Sequence, residues 1–156
     1  MEIEVEDTEY KKARAPNELY SGGLGPCIAI GAIYEKRGYM IHHHPVTSEQ
    51  VSSVVRSFFA DLQRVVKNKE KLKIYVAGGS IGVDDECPAD MEAWRQNILT
   101  EITQNGYQKC IEEIRWCPPN FIQSLKLIIS EGRAEIEEDS EAEVIAELYG
   151  NTPHDF

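Results

Sequence analysis

Two hydrophobic periods alternate along this chain, the twofold repeat of a β-strand and the 3.6-residue repeat of a helix. Residues 27–34 form a short, nearly continuous apolar run, and a second predicted strand runs from Tyr39 to about His43. Short continuous apolar runs are typical of strands that are covered on both faces of a sheet. The turn sequence Glu-Lys-Arg-Gly at 35–38 separates the two segments, so we expect a β-hairpin here.

Two longer segments carry the helical repeat. The first begins at Thr47, which forms a capping box with Gln50, and its apolar stripe continues to residue 68. The second spans residues 88–104 and ends before an Asn-Gly pair, a typical helix stop. The stripes that we expect to pack on a sheet are Val51, Val54, Val55, Phe58, Leu62, Val65 and Val66 in the first helix, and Met91, Trp94, Ile98, Leu99 and Ile102 in the second.

The remaining predicted strands lie at residues 72–77, 110–116, 124–129 and 133–136. We expect the first twenty residues to form an irregular lead-in with room for one edge strand. The acidic tail forms either a short helix around 142–149 or a disordered segment. The order β, β, α, β, α, β, β, β indicates an α+β fold, a layered α/β sandwich in which two amphipathic helices cover a mixed, largely antiparallel sheet.

Length and charge narrow the possible functions. With 156 residues and 42% hydrophobic content, we expect a single domain over 1–156, with a core at about 17–137 and an acidic tail at about 138–156. The net charge of −11 repels phosphate backbones, so nucleic acid is not an expected partner. The sequence contains no apolar run long enough to span a bilayer, and its first residues are acidic, unlike an export signal. We therefore expect a cytoplasmic protein without membrane insertion.

The cysteine pattern predicts free thiols. Cys27, Cys87, Cys110 and Cys117 lack the paired C-x-x-C spacing of a zinc site. Without an export signal there is also no reason to expect disulfides. Some of the four are therefore ordinary core residues, because free cysteine is among the most buried residue types.

One of these thiols is in a position typical of a nucleophile. Cys27 follows a glycine-rich turn and enters an apolar strand, while His42 ends the next strand. Such a turn exposes backbone N–H groups around a thiol, and an imidazole on a neighbouring strand can accept its proton. Taken alone, the pattern favours a buried core cysteine, since most such cysteines are inert.

The run His42-His43-His44 also suggests a metal site. Alternate residues of a strand share a face, so His42 and His44 could lie together while His43 could not. Two ligands rarely make a specific site, and we expect neither a metal nor another cofactor. His44 is the alternative base if the strand register shifts. We expect the loop that begins at Gly79 and Ser80 to border the active site, because turns after strand ends often line clefts.

The residues around Cys27 and His42 resemble a known family. Gly23-Leu-Gly-x-Cys27, followed by Ile-Ala-Ile, is similar to the Gly-Leu-Gly-Ser-Cys-Val-Ala-Val signature of the chemoreceptor glutamine deamidases of bacterial and archaeal chemotaxis, called CheD. Gly38-x-Met40-x-His42 matches the Gly-x-Met-x-His of that family. Further agreements, which extend the resemblance over about residues 17–137, are Leu72-Lys-Ile-Tyr-Val-Ala-Gly-Gly-Ser80, Asn120-x-x-x-Ser124 and Glu131-Gly132.

The resemblance implies a cysteine hydrolase that converts protein glutamine side chains to glutamate. Cys27 would attack the side-chain amide, His42 would act as the base, and Ser21 would replace the assisting threonine of the family. The substrate would be a protein, such as a chemoreceptor helix, and a phosphatase-like regulatory protein would be a further partner.

The resemblance also implies where the substrate binds. The backbone at Gly23 and Gly25, together with Gly79 and Ser80, would line the substrate site. The N–H groups near Gly25 and Cys27 would stabilise the oxyanion that forms during attack. Each turnover would then release ammonia and leave a carboxylate.

Several residues depart from the family pattern around the expected groove. Pro26 lacks an N–H next to the nucleophile, Pro118 and Pro119 replace two glycines, and Phe121 and Gln123 replace arginines. These changes weaken the assignment to chemoreceptors more than the assignment to amide hydrolysis. Two alternatives stay open: a binding module of the same fold that docks onto a receptor or a phosphatase-like partner, and a Cys/His hydrolase or transglutaminase-like enzyme that acts on another amide.

Overall fold

The computed structural model describes residues 1–44, 48–81 and 88–149. In chain order, the strands and α-helices of these residues are β1 (Glu2–Glu4), β2 (Glu9–Arg14), β3 (Glu18–Leu24), β4 (Ile28–Tyr34), β5 (Arg37–His43), α1 (Ser48–Val65), β6 (Leu72–Gly78), α2 (Pro88–Gln104), β7 (Ile111–Trp116), β8 (Phe121–Ile128), β9 (Arg133–Ser140) and α3 (Glu141–Tyr149).

The strands form two sheets. The five-stranded sheet has the order β2-β5-β4-β6-β7 and is antiparallel except for the parallel pair β6 and β7. The four-stranded sheet has the order β1-β3-β8-β9, with β1 parallel to β3. The predicted α+β sandwich is confirmed, and the four-stranded sheet adds a further layer to it.

Side-chain alternation on β4 divides the core into two clusters. Ile28, Ile30 and Ala32 pack with residues of α1 and α2 on one face of the five-stranded sheet. Ala29 and Ile33 point to the other face and pack against the four-stranded sheet. Strand β4 is therefore covered on both faces, and the layers follow the order helices, five-stranded sheet, four-stranded sheet.

Helices α1 and α2 cover the sheet with part of the predicted apolar stripes. Their most buried side chains are Val55, Phe58, Phe59 and Leu62 from α1, and Ile98 and Ile102 from α2. Burying each large apolar side chain contributes about 1.5–3 kcal/mol, which holds the helices on the sheet. None of the helices in the described residues is long and apolar enough to cross a membrane.

The N-terminal segment differs from the expected irregular lead-in, because it contains three strands. β1 and β3 belong to the four-stranded sheet, and β2 forms an edge of the five-stranded sheet. Val5 and Leu19 point inward and are almost fully buried. The many glutamates and lysines of this segment lie on exposed or half-buried positions, where edge strands commonly carry charge, and this composition masks the strand pattern.

The C-terminal region also differs slightly from the expected boundaries. β9 continues to Ser140 and so includes residues that we expected in the acidic tail. Residues Glu141–Tyr149 form α3, so the helical alternative for the tail is correct. The capping box at Thr47 and the loop segment that ends at Cys87 lie outside the described residues.

Candidate functional site

The turn that carries Cys27 is fixed by the end of the neighbouring strand β6. The N–H of Gly79 donates to the Cys27 carbonyl at 2.9 Å, and the N–H of Ser80 donates to the Gly25 carbonyl at 2.8 Å. A Cβ atom on Gly78, where φ is +93°, would lie 2.0 Å from the Cys27 carbonyl oxygen. Only glycine fits there, so this close approach of backbone to backbone sets the position of the thiol.

Strand β5 directs His42 into the space between the two sheets. Met40 belongs to the apolar cluster between the sheets, while His43 contacts the ring of Trp94 on α2. Since side chains alternate along a strand, His42 lies on the Met40 side. Its register partner on β4 is Ala29, which is close to the start of that strand. The imidazole therefore lies beside the turn that carries the thiol.

Ser21 anchors the imidazole from β3, in the four-stranded sheet. Its fully buried hydroxyl oxygen lies 2.6 Å from His42 Nδ1 and 2.8 Å from the Val5 carbonyl oxygen. A carbonyl can only accept, so the Ser21 proton goes to Val5, and we assign the proton of the imidazole to Nδ1, which donates to the Ser21 oxygen. The other ring nitrogen, Nε2, is buried and has no hydrogen-bond partner among the described residues.

Asp7 joins this site from the turn between β1 and β2. The Glu9 N–H donates to the Glu6 carbonyl at 3.0 Å and closes the turn. One ligand-type atom from each of Asp7, Cys27 and His42 lies within 4.8 Å of the other two. No sequence pattern pointed to Asp7, because its approach depends on strands that the charged composition masks.

The surroundings keep both reactive groups neutral. Burial, and to a smaller extent the charge of Asp7, raises the pKa of the Cys27 thiol to about 11. Burial also lowers the pKa of His42, while Asp7 and the Val5 carbonyl oppose this shift. Near neutral pH the pair is therefore a thiol and a neutral imidazole and not a thiolate–imidazolium ion pair.

The expected oxyanion donors are only partly available. The N–H of Gly25, where we expected an oxyanion donor, donates to the Gly23 carbonyl at 3.2 Å. The N–H groups of Gly79 and Ser80 fix the turn, as described above. The N–H of Cys27 has no hydrogen-bond partner within the described ranges, and it is the donor that remains.

Gly23 lies at an irregularity in β3. The pairing of β3 with β8 shifts register between Ser21 and Leu24, and Gly23 has a φ of +65° with no atom within 4 Å of an added Cβ. Bulges of this kind redirect the side chains next to them. The structure therefore places Gly23 on the open side of the turn, where we predicted substrate contact.

Two residues that support the Cys27 turn were not predicted as site residues. Gln123 is buried, and its Oε1 accepts from the Gly78 N–H at 2.7 Å. Arg95 donates from Nε to the Gly79 carbonyl at 2.7 Å. Both hold the end of β6 and so act on the turn indirectly. A signal for Gln123 existed, since it occupies an inward position of β8 that otherwise holds leucines.

The other histidines and cysteines do not join the site. His43 points to the helices, and His44 follows the end of β5, so His42 is the imidazole grouped with Cys27. Cys110 and Cys117 are buried free thiols whose sulfurs donate to backbone carbonyls elsewhere. Cys87 lies outside the described residues.

Among known proteins, similarity to this chain is found in solved structures. No family model matches the sequence, and neither does any curated protein. Among solved structures, the hypothetical protein YfiH of Bacillus licheniformis is similar with a TM-score of 0.48 and 10% identity, over 68% of this chain and 49% of that one. The protein NMB0706 of Neisseria meningitidis, described with the family DUF152, has a TM-score of 0.36 and 5% identity, over 69% of this chain and 52% of that one.

These comparisons correct the predicted function. The chain spans about half the length of the two proteins, and likenesses of this size assign no activity to it. YfiH and NMB0706 are two of the structures that it resembles, and neither is described as a glutamine deamidase. The prediction that the chain deamidates protein glutamine side chains came from the family resemblance, and on this finding it is wrong.

Proposed function

We propose that Cys27, His42 and Ser21 form the site of a Cys/His hydrolase that acts on an acyl group other than the side chain of a protein glutamine. The observation that carries this proposal is the 2.6 Å contact between Ser21 Oγ and His42 Nδ1. It fixes the ring and its tautomer, so that Nε2 keeps a free lone pair on a ring that is grouped with the thiol. A base that is oriented by a third group and lies next to a nucleophile is the usual signature of covalent acyl transfer.

The mechanism begins from the neutral pair. The Cys27 sulfur attacks the carbonyl carbon of the substrate while His42 Nε2 takes the thiol proton. The new C–S bond places negative charge on the carbonyl oxygen, and the Cys27 N–H donates to it. The imidazolium then gives its proton to the leaving group. Water, activated by the neutral imidazole, hydrolyses the thioester and restores the thiol.

Asp7 favours the stage of this cycle in which His42 is an imidazolium. Its negative charge raises the pKa of both the thiol and the imidazole, which disfavours a free thiolate and favours the imidazolium. Proton transfer and sulfur attack are therefore coupled, and no ion pair accumulates at rest. In this respect the site is closer to a serine hydrolase than to enzymes that hold a preformed thiolate.

Other sequence-based predictions stay proposals. The motifs at Gly23 to Cys27 and at Gly38 to His42 support a divergent relation to the CheD family, without its deamidase activity. The cytoplasmic location, the single-domain organisation and a phosphatase-like partner stay predictions.

An activated ester tests the hydrolase. With p-nitrophenyl acetate, we expect a burst of p-nitrophenolate and an acetyl group on Cys27, identified by peptide mass mapping and absent in Cys27→Ser. Cys117 is the matched control thiol, because burial is also the main cause that raises its pKa to about 11, and its sulfur donates to backbone carbonyls and not to an imidazole.

Access must be separated from base catalysis in this test. Cys27 is 9% exposed and Cys117 is 1% exposed, so Cys27 is expected to react faster with any reagent. Iodoacetamide measures access and thiolate formation without a general base. The proposal requires the ratio of the Cys27 rate to the Cys117 rate to be larger for acetylation than for alkylation. Equal ratios would overturn it.

A further inference from the structure

We infer that Asp7, Cys27 and His42 together form a binding site for a thiophilic divalent cation such as Zn²⁺. The three side chains come from the β1–β2 turn, the turn before β4, and strand β5. They supply one oxygen, one sulfur and one nitrogen donor, the ligand types that zinc takes in proteins. Metal binding at these residues does not depend on the thiol acting as a nucleophile.

The geometry of the three donors is close to a coordination shell. One ligand-type atom of each residue lies within 4.8 Å of the other two. Ligands of a tetrahedral zinc lie about 3.5 Å apart, given bond lengths of about 2.0–2.3 Å, so closing the difference takes a movement of about 1 Å. Asp7 is exposed and lies in a turn, so its side chain has room to make that movement.

An unpartnered nitrogen points independently to a ligand. His42 is 6% exposed, and its Nε2 is buried without a hydrogen-bond partner among the described residues. Nδ1 is held by Ser21, which in turn is held by the Val5 carbonyl. This is the usual arrangement of a zinc-ligating histidine, in which the outer nitrogen donates to a fixed acceptor and orients the ring.

The position of Asp7 distinguishes this use of the site from simple thiol chemistry. A carboxylate beside a thiol opposes the formation of a thiolate, and so works against a nucleophile. A divalent cation reverses that effect, because it attracts both anions at once. The same carboxylate is unfavourable to a thiolate alone and favourable to a thiolate that holds a metal.

The bound state has two chemical consequences. Cys27 enters as a thiol and binds as a thiolate, while His42 enters neutral, so binding releases about one proton per ion and tightens as the pH rises. Three protein ligands leave a fourth position open, as in zinc sites that bind water or substrate. While the cation is bound, the sulfur is not free to attack an acyl group, so occupancy suppresses the acetylation described above.

Titration of the full-length chain with Zn²⁺ and Co²⁺ tests the site. We expect one ion per chain, release of about one proton on binding, and with Co²⁺ a near-ultraviolet charge-transfer band that requires a thiolate ligand. Cys27→Ser should lose the band. Losing a residue that only hydrogen-bonds to a metal ligand typically weakens metal binding by roughly 10–100-fold. Asp7 is proposed as a ligand itself, so Asp7→Asn should weaken binding by at least this factor.

Matched controls keep the test specific. Asp139→Asn makes the same chemical change at an exposed position of β9, and Cys110→Ser removes a buried thiol outside the group; both should bind like the unchanged chain. Absence of stoichiometric binding, or binding unaffected by Asp7→Asn, would overturn the inference. Acetylation of Cys27 by the metal-free protein is measured separately, so failure of the metal site and failure of the hydrolase give different results.

Discussion

His42 and His43 are adjacent on β5 but lie in two different environments. His42 faces the second sheet, where Ser21 binds its Nδ1 and Asp7 and Cys27 lie nearby. His43 faces the helices and is fully buried, and neither of its ring nitrogens has a hydrogen-bond partner among the described residues. Its described neighbour is the ring of Trp94, edge-on at 5.0 Å between centroids.

The difference shows what makes a buried histidine chemically useful. Both rings are desolvated, and burial lowers the pKa of each. Only His42 has an oriented ring, a fixed tautomer and a reactive neighbour. His43 serves as a flat apolar side chain whose polar atoms are a cost of burial. Burial alone therefore does not identify the functional histidine, and the hydrogen-bond partner does.

The largest expected effect comes from replacing each of the two histidines in a separate variant. His42→Ala should slow acetylation of Cys27 by about 10²–10⁴-fold, because the general base is lost. His43→Phe should leave the rate within a few-fold, since it keeps an aromatic ring against Trp94. The rates are measured with p-nitrophenyl acetate after circular dichroism has confirmed folding. Similar losses in both variants would remove the distinction between the two faces.

Acid stability should depend on the buried neutral ring of His43. Burial lowers the pKa of His43 to about 3, from an unfolded value near 6.5. The neutral ring is thus favoured by folding, so its contribution is complete above pH 6.5 and is lost as the pH falls toward 3. By about pH 4.5 this loss amounts to about 3 kcal/mol of unfolding free energy.

His43→Phe should remove this term. Urea unfolding of the variant and the unchanged chain at neutral and acidic pH measures it, and protonation of carboxylates cancels in the difference between the two proteins. We expect the variant to gain relative stability at low pH. If the two proteins lose stability in parallel, His43 is not held neutral by the fold.

The Ser21 hydroxyl should have a smaller effect on both stability and rate. Ser21→Ala leaves the Val5 carbonyl and His42 Nδ1 without their buried partner, which costs about 1–3 kcal/mol of stability. A loss of about 1.4 kcal/mol in positioning the base corresponds to about tenfold slower acetylation. Ser21→Thr keeps the hydroxyl and is the control. A positioning role requires the threonine variant to recover the rate, whereas a purely structural role would leave the alanine variant unchanged in rate.

The sequence is most informative where side-chain alternation is strong. The apolar runs of β4 and β5 and the stripes of α1 and α2 are recognisable because one or both of their faces are buried. Alternation along β5 also predicts that His42 and His43 lie on opposite faces, as the sheet shows. The same reasoning fails for β1 and β2, whose charged edge positions hide the inward residues such as Val5.

The site could be predicted only in part for the same reason. Cys27, His42 and Ser21 lie on elements with clear patterns or motifs, and the structure brings them together. Asp7 was missed because its place depends on the pairing of β1 with β3, a contact that local sequence does not encode. The hydrogen bond from the Gly25 N–H to the Gly23 carbonyl is likewise a detail of turn geometry that residue spacing in the sequence cannot show.

The smallest expected effect concerns the charge of Asp7. Asp7→Asn should lower the apparent pKa of Cys27 by less than about one unit, because burial is the larger cause of its rise and is unchanged. Alkylation by iodoacetamide near pH 8 should therefore become slightly faster. Asp7 is exposed, so added salt should reduce the difference by screening. Asp139→Asn is the control. If alkylation of Cys27 becomes slower in Asp7→Asn, the carboxylate helps to form the thiolate, and the direction assigned to its effect on the Cys27 pKa is wrong.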